Sequence, residues 1–408
     1  MKALLLPLGE IGHVNPLIGL CQRLVTEGHT VAVHSSKHFS AQFARAGVEA
    51  QWSGEVPDAG SPPQEMAERM RDPRWLARWY GRALAMSRSA VTSIAETVRS
   101  FQPDVMAVDP LNIAAAIVAE RERVPWAGIS TNFVALRPPA WGCQFVDVGA
   151  SLLPPKIQPL LVEHGVTLRF DATDAISPWF NSVFTTERFA PRPLGNHHST
   201  YVGPPRIAGA RGDEPAFPWE RLDARPIVYV SSGGGHSLGF DASQLLRIAG
   251  AIDLAIAQLI IAAPSLHADA AFRAALPASA IVVPYAPQRE LLARARIAVT
   301  HGGVNSVNEC LGVGCPMLVL ALGREQPLQA ELVSRAGAGL ALDVLDVSDR
   351  DSRDAFSRLL AGECHAAAAA IRDDYDATDS TDALYTALTT LARRRRSGYS
   401  GGPIDTSM

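Results

Sequence analysis

The sequence predicts two α/β domains in tandem, each built on a parallel sheet. Three observations predict it. Apolar runs of strand length recur in both halves of the chain, and the first of them opens a strand–helix–strand unit. A stretch rich in Pro, Gly and charge then divides the halves near residue 204. The chain has 408 residues, 47% apolar and 19% charged, which is material for sizeable cores without a compositional mark of disorder.

Ala3-Leu4-Leu5-Leu6 is a continuous apolar run, the pattern of a strand with both faces covered by helices. Asn15-Pro16 then starts a helix, because proline suits a first turn in which its missing N–H has no partner anyway. Leu17, Leu20, Cys21, Leu24 and Val25 repeat at helical spacing, Gly28 stops the helix, and residues 30–33 form the second strand. Strand, helix and strand recur at 105–108, 113–120 and 126–129. Residues 52–98 and 133–180 read as irregular, aromatic-rich stretches. A second strand series occupies 227–230, 258–262, 281–283, 297–300 and 317–320. The expected division is an N-terminal domain over 1–204, a linker over 205–224, a second domain over 225–377, a helix over 378–396 and a disordered tail over 397–408.

A formal net charge of −4 argues against a sequence-independent nucleic-acid binder, which needs a basic face to replace phosphate counterions. Pro7, Gly9 and Glu10 interrupt the first apolar run, so it reads as a buried strand rather than a signal peptide. No run of 18 apolar residues occurs, and no membrane-spanning helix is expected. The five cysteines are scattered without metal-ligand spacing, which fits reduced thiols in a cytoplasmic protein. Arg393 to Arg396 read as a solvated helix end, and Asp374-Tyr375-Asp376 as surface rather than a metal motif.

Residues 283–342 carry the chemistry. A strand ending at Thr300 leads through His301-Gly302-Gly303 into a helix. Glycines let another molecule approach the backbone, and a helix N-terminus offers free N–H groups to a diphosphate. His301, Asn305 and Ser306 add donors, and Glu309, farther along the helix, suits two ribose hydroxyls. Glu325 and Gln326 follow the next strand's carboxyl end, where ligands bind in open parallel sheets, and such a pair suits sugar hydroxyls.

This segment resembles the donor-binding signature of the family 1 glycosyltransferases, the UDP-glycosyltransferase superfamily, and in particular its bacterial natural-product members. The residues that match are Ala286-Pro287-Gln288, His301-Gly302-Gly303, Ser306, Glu309, Gly314, Pro316 and Gln326, at matching spacings. The resemblance implies the GT-B fold, two Rossmann-like domains facing across a cleft, with a C-terminal helix returning to the N-terminal domain. It places Tyr285 and Gln288 by the nucleoside, His301 and Ser306 by the diphosphate, Glu309 by the ribose, and Glu325 and Gln326 by the transferred sugar, with Ala286, Gly303 and Asn305 as further donor-binding candidates. Three positions depart from the pattern. Tyr285 stands where plant members stack a Trp, Glu325 replaces an Asp, and Gly234 stands where relatives have Ser or Thr. In Tyr229 to Gly235 the backbone of Gly233 and Gly234 would cradle phosphate, with Ser231 or Ser237 supplying a hydroxyl.

On the other side of the cleft, His13 and Asp109 follow the carboxyl ends of two strands of one half-sheet. Such loops bring a histidine and an aspartate together, the aspartate fixing the imidazole tautomer for a general base. The resemblance points the same way: the histidine deprotonates the acceptor and the aspartate orients it. Trp75, Trp79, Phe133 and Trp141 are candidate walls of an acceptor pocket.

The expected activity is therefore an inverting hexosyl transfer without a metal. The sugar moves from a UDP- or dTDP-sugar to a hydroxyl of a small, largely apolar acceptor of polyketide, macrolide or phenolic type. The nucleotide sugar is a co-substrate, no other cofactor is expected, and monomer or homodimer stays open. A non-catalytic auxiliary relative or a nucleotide-sugar epimerase on the same architecture are the alternatives. A dehydrogenase fits poorly, because residues 9–13 are not G-x-G-x-x-G.

Overall fold

Leu4, Leu5 and Leu6 are wholly shielded from solvent, because their strand lies inside a sheet with helices on both faces. A computed structural model describes the chain apart from residues 49–50, 53–65, 139, 194–197, 210, 212–213, 234–238, 346–347 and 397–408. The expected tail and Gly234, Gly235 and Ser237 thus lie outside the described residues.

The strands in chain order are β1 (Lys2–Leu6), β2 (Thr30–Val33), β3 (Gln51–Trp52), β4 (Val105–Val108), β5 (Trp126–Ser130), β6 (Arg169–Asp171), β7 (Asp174–Ile176), β8 (Phe180–Val183) and β9 (Ser199–Tyr201). The second series comprises β10 (Ile227–Ser231), β11 (Gln258–Ala262), β12 (Ile281–Val283), β13 (Ala295–Thr300), β14 (Met317–Ala321) and β15 (Gly339–Asp343). Among the described residues, one sheet has the order β3-β2-β1-β4-β5-β8-β9 and the other β12-β11-β10-β13-β14-β15, both parallel throughout. In each, the central strand (β1 or β10) pairs with the next strand on one side and a later strand on the other. That reversal of strand order opens a crevice at the strands' carboxyl ends, where His13, Asp109, Ser231 and His301 sit.

Residues 52–98 and 133–180 are not the irregular stretches that their composition suggested. They contain the long helices Pro73–Phe101 and Gln144–His164. In the first, Leu76, Tyr80, Val91, Ile94, Ala95 and Val98 are buried along one face, so helical periodicity is present but diluted by partly exposed Trp side chains. The second carries Pro154, Pro155 and Pro159 inside it, residues that normally signal a helix stop.

The helix Ser380–Arg396 lies against the first domain. Leu384, Ala387, Leu388, Leu391 and Ala392 are buried with residues of β1, β2, β4 and β5, and Arg395 donates to the Pro103 carbonyl. The segment between the domains is held down before it crosses. Arg206 donates to the carbonyls of Thr378 and Tyr375 at 3.0 and 2.8 Å, and a Cβ added at Gly19 would run into the Arg206 carbonyl. Asp374-Tyr375-Asp376 ends the helix His365–Asp376, with Tyr375 buried and donating to Asn308 at 2.9 Å. Cys21, Cys143, Cys310 and Cys315 are buried free thiols and Cys364 is half-buried.

Candidate active site

The first strand delivers the chain to Glu10, whose extended backbone precedes the single turn Ile11–Val14. The N–H groups of His13 and Val14 donate to the Glu10 carbonyl at 2.9 and 3.1 Å, which fixes the turn. His13 Nδ1 then lies 2.6 Å from Asp109 Oδ2, joining the β1 and β4 ends as the sequence suggested. Asp109 is 1% exposed, and its other oxygen accepts from Leu111 N at 3.0 Å.

Thr131, which sequence reasoning missed, completes the group. Its hydroxyl lies 2.7 Å from His13 Nδ1 and donates to Asp109 Oδ2 at 3.1 Å. The available signal was a hydroxyl residue directly after the β5 run. Because Asp109 is acceptor-only when ionised, His13 carries its proton on Nδ1, and no hydrogen bond among the described residues engages Nε2. Burial opposes a charge on His13, but the charge and hydrogen bond of Asp109 outweigh it, aided by Glu10 and Glu325. The pKa is pushed up to about 9. A second buried carboxyl, Asp174, lies behind the group and accepts from Ser130 at 3.3 Å. Burial, then the Asp109 charge, push it up to about 7.

On the facing wall β13 ends at Thr300. Gly302 takes a left-handed φ of 90°, where a Cβ would strike Val319, and Gly303 opens the helix Val304–Gly312 with no side-chain cap on its N–H groups. His301 Nδ1 is buried without a partner, and burial, with the Arg324 cation, pushes His301 down to about 4. It is therefore neutral, and a phosphate oxygen would supply the missing partner. Gln288 links the next residues: it accepts from Tyr229 at 3.2 Å and donates to Glu309 at 2.8 Å and Ser306 at 3.4 Å. Glu309 also pairs with Arg211, a residue of the interdomain segment that sequence reasoning passed over.

A model of the family described as "UDP-glucoronosyl and UDP-glucosyl transferase" matches residues 255–370. The chain is also 26% identical to 4'-demethylrebeccamycin synthase of Lentzea aerocolonigenes, over 90% of this chain and 94% of that protein. The chain is thus similar to the UDP-glycosyltransferases over residues 255–370, and to that synthase over most of its length. Solved glycosyltransferases share its fold. VinC, in complex with dTDP, superposes with a TM-score of 0.71 at 20% identity, covering 97% of this chain and 100% of that one. The spinosyn rhamnosyltransferase SpnG, complexed with thymidine diphosphate, gives 0.72 at 20% identity, covering 95% and 100%.

The other candidate residues sit less simply. Asn305 donates to the Gly12 carbonyl at 2.9 Å, so it bridges the domains at the His13 turn. Gln326 is buried, and its side-chain oxygen accepts from Leu322 and Gly323 at 2.9 and 3.1 Å, so it braces the loop that presents Arg324 and Glu325. Ser231 ends β10, Gly233 turns with φ 105°, Ala286 packs on the core and Tyr285 is exposed. Phe133 is wholly buried against Phe189, which makes it core rather than an exposed pocket wall. Trp141 lies under the Arg335 guanidinium. Trp79 stands on the helix Pro73–Phe101 between Tyr80, Phe145 and the Arg324 guanidinium, at the cleft, and Trp75 is half-buried one turn before it. Among the described residues no cluster of three or more His, Cys, Asp or Glu could hold a metal, and no helix is long and apolar enough to cross a membrane.

Proposed function

We propose that this glycosyltransferase moves a hexose, with inversion, from a UDP- or dTDP-sugar to a hydroxyl of a small, largely apolar acceptor, with His13 as general base. The observation that carries the reading is the His13–Asp109–Thr131 group. It occupies Nδ1 and leaves Nε2 to accept a proton. Neutral His13 takes the acceptor proton on Nε2 as the acceptor oxygen bonds to the anomeric carbon, and the bond from that carbon to the diphosphate oxygen breaks. Asp109 stabilises the imidazolium so formed. The diphosphate leaves with its charge facing the Val304–Gly312 N-terminus and the His301 side chain, and we propose that no metal takes part.

The nucleotide requirement is supported by the networked Gln288, Ser306 and Glu309 side chains and by the orphaned His301 nitrogen. The apolar acceptor is supported by Trp79 and Phe145 near the cleft. It also fits 4'-demethylrebeccamycin synthase, and SpnG, which has been crystallised with spinosyn aglycone.

The test pairs dTDP- and UDP-hexoses with a panel of hydroxylated aglycones in EDTA and reads the anomeric configuration of the product by NMR. Transfer with inversion is expected, lost in His13→Ala. A retained configuration, or full turnover by His13→Ala, would sink the assignment of the base.

A further inference from the structure

Glu10 and Arg324 meet across the cleft, Nη1 to Oε2 at 3.0 Å, beside the base. We propose that Arg324 is a positioning residue for His13: by pairing with Glu10 it draws that carboxylate's field away from the imidazole and readies it to take a proton when the two domains meet. The inference rests on the reading of His13 as base.

Glu10 is tied to His13 twice. Its carbonyl holds the turn on which His13 rides, and its carboxylate is among the charges that favour the imidazolium. Burial would raise the Glu10 carboxyl, but Arg324 and His13 hold it below the usual range, so it stays a carboxylate. Unpaired, that charge would strengthen the imidazole's hold on its proton further.

Arg324 is held in place from several sides. It has a left-handed φ of 55°, which a non-glycine residue keeps only when its surroundings enforce it. Gln326 pins the two preceding amides, Cys143 Sγ donates to the Arg324 carbonyl at 3.6 Å, and Met70 fills the space where a Cβ on Gly323 would go. The guanidinium is largely buried and stands over Trp79. Asn305, on the helix Val304–Gly312, joins the same turn through the Gly12 carbonyl, so the turn meets the facing domain at two points.

The charged groups around His13 are Asp109 from the β4 end, with Asp174 behind it, Glu10 on its own turn, and Glu325 and Arg324 on the facing loop. Among these described groups around His13, only Glu10 and Arg324 form an ion pair across the two domains. Separation of the domains would therefore leave His13 among carboxylates alone.

The test needs no substrate. The His13 imidazole is titrated by NMR in the full chain, as wild type, Glu10→Gln, Arg324→Gln and the double variant, with Arg324→Lys as a variant that keeps the charge. The expected result is a pKa lowered by Glu10→Gln and raised by Arg324→Gln, each by about half a unit or more. Arg324→Lys stays near wild type, and the Arg324→Gln shift falls below half its size in the Glu10→Gln background. An unmoved or lowered pKa in Arg324→Gln, or a shift of half size or more without Glu10, would overturn the proposal. If Arg324→Gln does not fold, Glu10→Gln decides alone, and an unmoved His13 there is the overturning result. Failure of the transfer assay with these titrations as expected would reject the proposed reaction but not the coupling.

Discussion

Arg211, on the segment between the two domains, pairs its guanidinium with Glu309 on the helix Val304–Gly312, and both side chains are largely buried. Gln288 holds the other carboxylate oxygen. A residue assigned to ribose binding is thus already part of a charged network with the interdomain segment.

Truncating Glu309 removes the carboxylate that the largely buried Arg211 guanidinium faces. Glu309→Ala should lose about 1–3 kcal/mol of stability, less than the several kcal/mol of a fully buried pair, because neither partner is wholly enclosed. It should also weaken nucleoside diphosphate binding. Urea titration and calorimetry read the two effects separately, and unchanged stability would show that the pair contributes nothing.

The His13 pKa of about 9 sets a pH dependence. Only the neutral imidazole accepts a proton, so kcat/KM should rise with pH and level off near 9. His13→Ala should lower kcat by about 10²–10⁴-fold. The same shift stabilises the fold. Because the folded pKa lies above the ordinary value near 6.5, the contribution is complete below that value and disappears as pH rises through 9. Melting curves of wild type and Asp109→Asn should accordingly converge toward alkaline pH.

Thr131→Val removes the hydroxyl shared by His13 and Asp109 while keeping the side chain's shape. A loss of about tenfold in kcat is expected, roughly one hydrogen bond's worth, with KM little changed and activity recovered in Thr131→Ser. A change confined to KM would place Thr131 in acceptor binding instead.

Asp174 is buried with a pKa near 7, so ionising it costs the folded state. That cost begins above the ordinary carboxylate value of 3.8 and is complete above 7. Asp174→Asn should therefore flatten the loss of stability between these values, by a few kcal/mol at most. A pH–stability profile identical to wild type would contradict the assignment.

His301→Ala should weaken a nucleoside diphosphate about tenfold or more while leaving the uncharged nucleoside unaffected, since on the proposed reading the lost donor would meet a phosphate oxygen. Because His301 is neutral above its pKa of about 4, diphosphate affinity should show no step from this residue at neutral pH. Calorimetry with both ligands at two pH values checks this.

Much of this was legible in the chain itself. Strands such as Leu4–Leu6 and residues 258–262 announce themselves as uninterrupted apolar runs because helices cover both sheet faces. His13 and Asp109 could be paired because each follows the carboxyl end of such a run. The long helices were hidden by Pro154, Pro155 and Pro159 and by mixed Trp and Met side chains. Arg211, Thr131 and Arg324 were missed for another reason. Each acts through side-chain contacts with residues distant in sequence, and no local pattern encodes such contacts. Gln326 shows the converse: the motif marked it, yet its carbonyl oxygen is spent on its own loop.

The return of the helix Ser380–Arg396 to the first domain orders events during synthesis. The last strand of the first sheet is complete at Tyr201, but Leu384, Leu388 and Leu391, which cover that sheet, come some 180 residues later. At about 5–20 residues per second, the ribosome needs roughly 10–40 s to make that interval. For that time the nascent first domain carries an uncovered apolar face, and it is sealed only once Ser380–Arg396 has been made. Loss of the helix Ser380–Arg396 would thus strike the half of the protein made first.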